Sequence, residues 1–148
     1  RDSRRHGRER CCAGSAGVGV IAHVDTNVLL RYIVRDGPAQ TAAATALLES
    51  SATLVLTPVT FAEVAHTLRS FYGLSREDII ERLGMLLALP SLSNSGDLLG
   101  AALDIHSTHH VALPDALLAA QAIHSGDPRV CSFDRDFDRI PGVERVAP

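Results

Sequence analysis

After residue 17, short runs rich in β-branched residues alternate with longer stretches of helical period along the chain. No other feature restricts its fold as much. Residues 18–24 read as a strand and 27–35 as a short helix. Residues 38–50 read as an Ala-rich helix with Pro38 in its first turn. Residues 53–56 read as a strand. Thr57-Pro58 opens a helix that runs to about residue 72, and Gly73 ends it. Ser75 caps the next helix, with Asp78 three residues on and Ile79, Ile80, Leu83, Leu86 and Leu87 at helical spacing. A short strand is expected near 91–92, then helices over 97–107 and 114–124. A strand over 129–133, a helical turn over 136–139 and an edge strand over 143–146 complete the pattern. Strands separated by helices imply an α/β fold, a parallel sheet with helices on both faces. In such sheets the site forms at the carboxyl ends of the strands.

Acids stand at those ends. Asp25 follows the first strand and Asp134 follows the strand that ends at Phe133. Neighbouring strands lie about 5 Å apart, so if these two pair, both carboxylates can share an ion. Glu63 lies early in the helix after the second strand, among Phe61, Ala62, Val64 and Ala65. Asp115 lies in the first turn of its helix, in Leu113-Pro114-Asp115-Ala116. A buried carboxylate without a partner is costly, so apolar neighbours need an explanation. Each acid also has a local one. Asp25 can cap the helix that follows, and Asp115 can answer a helix dipole. Glu63 can pair with Arg69 or face solvent. Asp134, Asp136 and Asp138 can form a solvated turn balanced by Arg135 and Arg139. The local readings weaken together, because four separate accidents must all fall on one sheet edge.

Composition removes competing chemistries. The chain has 148 residues, which suits one domain, and 46% of them are hydrophobic, enough for a core. It contains no lysine; all 14 basic residues are arginine. A Walker A loop and Schiff-base catalysis both need a lysine. Aromatics are 4% and Trp is absent, which argues against stacking platforms for single-stranded bases. No apolar run reaches the roughly 18–20 residues of a membrane helix, so no membrane role is expected. The net charge of −3 hides an asymmetry. Residues 1–10 carry five Arg against Asp2 and Glu9, whereas the remainder carries 15 acids against 9 Arg. An acidic body argues against passive attraction of nucleic acid and fits carboxylates gathered around a cation. Cys11, Cys12 and Cys131 are no disulfide framework, and a reducing cytoplasm fits them. Cys131, in an apolar stretch, is expected to be buried, and His23 to be structural. His106, His109 and His110 read as a polar helix end, with a zinc site the lesser reading. Residues 1–16 lack apolar periodicity and read as a disordered tail or upstream remnant, with a nucleic-acid-binding arm the alternative. Residues 17–148 form the domain.

The ordered motifs resemble those of PIN-domain nucleases. Val-Asp-Thr-Asn-Val-Leu-Leu-Arg-Tyr at 24–32 is similar to the family's opening motif. Phe-Ala-Glu-Val around Glu63, Pro-Asp-Ala-Leu-Leu-Ala-Ala around Asp115 and Ser-Phe-Asp-Arg-Asp-Phe at 132–137 match the later motifs in order and spacing. The match covers about residues 20–147 and most resembles VapC-like toxins of bacterial toxin–antitoxin pairs. It implies a doubly wound five-stranded parallel sheet and metal-dependent RNA cleavage. Asp25, Glu63, Asp115 and Asp134 match the acidic positions, and Asp136 a more variable second acid. Thr26 and Ser132 match hydroxyl residues beside the acids; Ser132 stands where Thr is more usual and keeps the hydroxyl. A VapB-like antitoxin and a homodimer are implied as partners.

Phosphodiester hydrolysis needs a nucleophilic water, charge neutralisation at phosphorus and a stabilised leaving oxygen. Mg²⁺ or Mn²⁺ supplies all three and prefers carboxylate oxygen. Asp25 and Asp115 are the firmest expected ligands. Asp134 completes the cluster, and Glu63 binds metal or orients water. Arg31, Arg35, Arg69 and Arg135 are candidates for phosphate contacts, against the plainer reading of solvated surface charge. Two other functions stay open: a non-catalytic RNA- or protein-binding module on the same fold, and a nuclease acting on DNA or flaps.

Overall fold

The computed structural model describes residues 21–93 and 97–148. Readings that fall on residues 1–20, including the basic tail and the start of the first strand, lie outside them. The alternation expected from the sequence is present. Strand β1 is Ile21–His23, followed by α1 (Thr26–Val34) and α2 (Pro38–Leu48). Strand β2 (Thr53–Val55) leads into α3 (Pro58–Ser70) and α4 (Arg76–Leu87). Then come β3 (Leu92–Ser93), α5 (Leu98–His109), α6 (Leu113–Ser125) and β4 (Arg129–Cys131). A 3₁₀ turn (Arg135–Arg139) and β5 (Glu144–Val146) follow.

Local chemistry sets the helix starts. Asp25 accepts a hydrogen bond from the Asn27 amide at 3.0 Å, Thr57 from Thr60 at 3.1 Å, and Ser75 from Asp78 at 3.1 Å. Each satisfies a first-turn donor that has no intrahelical partner. Pro58 follows its cap at a position where a missing N–H costs nothing. Gly126 ends α6 at φ 83°, a conformation that a side chain would strain.

The five strands form two parallel ladders. One sheet has the order β1-β2-β3, with Ile21 opposite Thr53 and Leu54 opposite Leu92. The other pairs β4 with β5, Val130 opposite Arg145. Among the described residues β1 and β4 do not pair, so the continuous five-stranded sheet is not formed. Strands this short offer a neighbour only one or two ladder bonds, each contributing about 1 kcal/mol net. Side-chain packing therefore decides where the second ladder sits. The main core gathers Leu29, Leu54, Leu56, Phe61, Leu68 and Leu83 around the first sheet. A smaller core joins Ala116 and Ala119 of α6 to Val130, Phe137 and Ile140. A third, small cluster of Leu98, Ala102 and Ala120 joins α5 to α6.

Two expectations about single residues change. Cys131 is exposed, because Val130 takes the inward position of β4 and a strand alternates its side chains. His23 is exposed for the same reason, between half-buried Ala22 and buried Val24. No helix of the described residues is long and apolar enough to cross a membrane.

Candidate active site

The N-terminal half of the site is built where β1 passes into α1. Val24 is buried and Asp25 turns outward as the cap of α1. Thr26, at 7% exposure, is one of the few buried polar residues. Its hydroxyl donates to Glu63 Oε2 at 2.6 Å. A buried hydroxyl needs a partner, and this one fixes the position of a carboxylate that α3 carries from the other side. Glu63 does not pair with Arg69; Thr26 is its hydrogen-bond partner.

The C-terminal half is built by α6 and the loop after β4. Asp115 stands half-buried in the first turn of α6. Its carboxyl is raised above the ordinary range, first by burial, then by the charges of Asp134 and Asp136. A helix N-terminus favours a carboxylate by about 0.3–1 kcal/mol, and here that gain is outweighed. Asp134 caps the 3₁₀ turn by accepting from the Asp136 amide at 2.9 Å, and the Asp134 amide donates to Ser132 Oγ at 3.0 Å. Asp136 is paired with Arg139. Arg145 braces the loop from β5. It donates to both carboxylate oxygens of Asp138, at 2.8 and 3.1 Å, and to the Ser132 carbonyl at 3.2 Å. Asp138 is held below the usual carboxylate range mainly by that hydrogen bond.

The structure thus brings Asp115, Asp134 and Asp136 into electrostatic range and joins Thr26 to Glu63. It does not close the cluster. Among the described residues, no three His, Cys, Asp or Glu side chains are grouped closely enough to hold one metal ion. The fold accords with this: Asp25 follows β1 and Asp134 follows β4, and among the described residues these strands share no ladder. The donor set itself is all carboxylate and hydroxyl oxygen, the chemistry that a hard divalent cation prefers. Mutual repulsion at Asp115 is what such a cation would relieve.

The four candidate arginines separate. Arg31 is committed to Asp36, whose carboxyl Arg31 and the Tyr72 hydroxyl together hold low. Arg35 ends α1 in a left-handed conformation, beside Tyr32 and Arg82. Arg135 opens the 3₁₀ turn within range of Asp138. Arg69 lines a cavity with Arg76, which sequence reasoning passed over. The side chain of Arg76 reaches from α4 to the carbonyls of His106 and Val111, a separation that no local motif signals. His106 is buried rather than set at an exposed helix end. Its Nδ1 bonds the Val111 carbonyl at 2.7 Å, and burial pushes its pKa down. Sequence reading also left Phe133 unassigned; it lies 83% exposed between Ser132 and Asp134.

Comparison with known proteins agrees with the motifs. The PIN domain family profile matches residues 22–143. Among solved structures, the chain is similar to VapBC2 from Rickettsia felis, crystallised with a DNA fragment from their promoter. Identity is 16%, the match covers 86% of this chain and 98% of that chain, and the TM-score is 0.36. No curated protein matches the chain. The family profile spans the acids at 25, 63, 115, 134 and 136 and most of the elements that carry them, so the chain belongs to the PIN domain family.

Proposed function

We propose that the chain is a Mg²⁺- or Mn²⁺-dependent endoribonuclease, the VapC-like toxin of a toxin–antitoxin pair. One observation carries the reading: Asp115 stands half-buried in the first turn of α6 within electrostatic range of Asp134 and Asp136, and its carboxyl is raised first by burial and then by their charges. Family membership and the ordered motifs support it. The resemblance to VapC-like toxins supports a VapB-like antitoxin, a homodimer and a cytoplasmic setting.

In this reading Asp25, Asp115 and Asp134 would hold the cation, with Glu63 and Asp136 as further carboxylates of the same donor set. The bound ion supplies charge neutralisation and an activated water. Thr26 keeps Glu63 turned toward the site. Ser132 and the Asp134 cap hold the loop after β4, and Arg145 keeps that loop against β5. Arg139 offsets part of the charge on Asp136. The acidic edge repels an RNA backbone when no cation is present, so RNA is expected to bind more weakly, and not to be cut, without metal.

The test is cleavage of a total RNA pool by wild type and Asp25→Asn, with and without Mg²⁺. Asn caps a helix as well as Asp does, so the fold is preserved. Cleavage confined to wild type with Mg²⁺ is expected. Equal cleavage by a folded Asp25→Asn protein overturns the site. Cleavage of matched DNA but not RNA overturns the substrate.

A further inference from the structure

A cavity of about 430 Å³ opens between α3, α4 and the turn that joins α5 to α6. Its polar wall is His66 and Arg69 of α3, Arg76 of α4 and His106 of α5. No carboxylate stands among its described lining residues. The Arg76 guanidinium donates to two main-chain carbonyls, of His106 and, at 3.1 Å, of Val111. Both acceptors are neutral, and the same nitrogen lies 3.3 Å from His106 Nδ1, so among the described residues no carboxylate accepts a hydrogen bond from this guanidinium. Its Nε is buried with no partner among the described residues. Burial first, then the charge of Arg69, lowers the Arg76 pKa, and Glu77 opposes this least of the three. Both arginines also press on His106.

A purely structural role, tying down the α5–α6 turn, accounts for the two carbonyl bonds of Arg76. It does not account for a second arginine beside it in a cavity whose described lining holds no carboxylate. Two cations gathered in one cavity without a carboxylate call for an anion. The place of the cavity says which. Its wall residues Ala62 and Pro114 immediately precede Glu63 and Asp115, and successive Cα atoms lie only about 3.8 Å apart. An anion here borders the acidic edge.

We propose that this cavity is a phosphate subsite for single-stranded RNA, in which Arg69, backed by Arg76, holds a backbone phosphate beside the linkage that the acids act on. A guanidinium fork suits phosphate oxygens, which it can bind in pairs. The choice of RNA as the source of the phosphate rests on the nuclease reading.

The test is fluorescence anisotropy of a short labelled single-stranded RNA in chelator, where cleavage plays no part. Arg69 is exposed, so Arg69→Gln should melt as wild type does. The variant is expected to bind more weakly, with the slope of log affinity against log salt shallower by about 0.7, one phosphate contact on a single strand. Arg69→Lys should restore the slope. Unchanged affinity and slope in Arg69→Gln overturn the subsite. Tighter binding of a polyglutamate peptide than of RNA, lost in Arg69→Gln, also overturns it and assigns the cavity to carboxylates of a partner protein. The two readings fail separately. RNA binding that needs Arg69 in a wild type that cleaves no RNA sinks the nuclease and keeps the subsite. Cleavage that needs Asp25 alongside unchanged Arg69→Gln binding does the reverse.

Discussion

Burial and the neighbouring charges of Asp134 and Asp136 raise the Asp115 carboxyl, and the sign of its effect on stability can be worked out. Its folded pKa lies above the unfolded value of about 3.9. The protonated form is favoured in the fold, so the stability it contributes is present at low pH. That contribution is lost as pH rises through the raised pKa, and ionised Asp115 then opposes folding. Asp115→Asn in chelator is therefore expected to melt higher than wild type near neutrality, and the difference should vanish on acidification. Melting curves across the acid range check this; a variant less stable at every pH would mean that Asp115 is a structural cap. Thr26 tests the other half of the site. Thr26→Val keeps the shape and removes the donor to Glu63. A hydrogen bond to a charged group contributes about 1.5–3 kcal/mol, and exposure of Glu63 places the loss at the low end. Cleavage should fall by about 10–100-fold, the usual cost of losing a side chain that orients a ligand. Activity retained in a destabilised Thr26→Val would make the bond purely structural.

At the scale of elements, the helix starts are where the sequence was most legible. Asp25, Thr57-Pro58 and Ser75 act through residues two or three positions away, so local chemistry specifies them. Thr57→Ala should cost about 1 kcal/mol and, because α3 carries Glu63, should lower activity further than its stability loss explains. Urea titration beside cleavage assays separates the two effects. Strand pairing was less legible. Three-residue strands give little register information, and no residue in β1 or β4 announces whether the two meet. Arg76 was missed for a similar reason, since its partners are more than a helix away in sequence. The exposure of Cys131 is hidden by the apolar run around it, because period-two alternation turns only Val130 inward.

The whole molecule joins two ladders and three apolar clusters through α6, which carries Asp115 on one side of the acidic edge. Divalent metal should stabilise it, by about 2.7 kcal/mol at a hundred times the dissociation constant. Asp134→Asn should leave the metal-free melting temperature unchanged or higher and abolish the gain with Mn²⁺. Equal gains in both proteins would place the ion elsewhere. The short β4–β5 pair has a further consequence. Among the described residues, β5 is the sole ladder partner of β4, and Arg145 within it holds the loop that carries Asp134 and Asp136. A chain that stops at residue 143 lacks β5 and Arg145, and with them the brace for its last acids. Under the proposed function, a chain that stops at residue 143 is expected to cleave RNA more slowly than the full chain, and parallel cleavage assays check this.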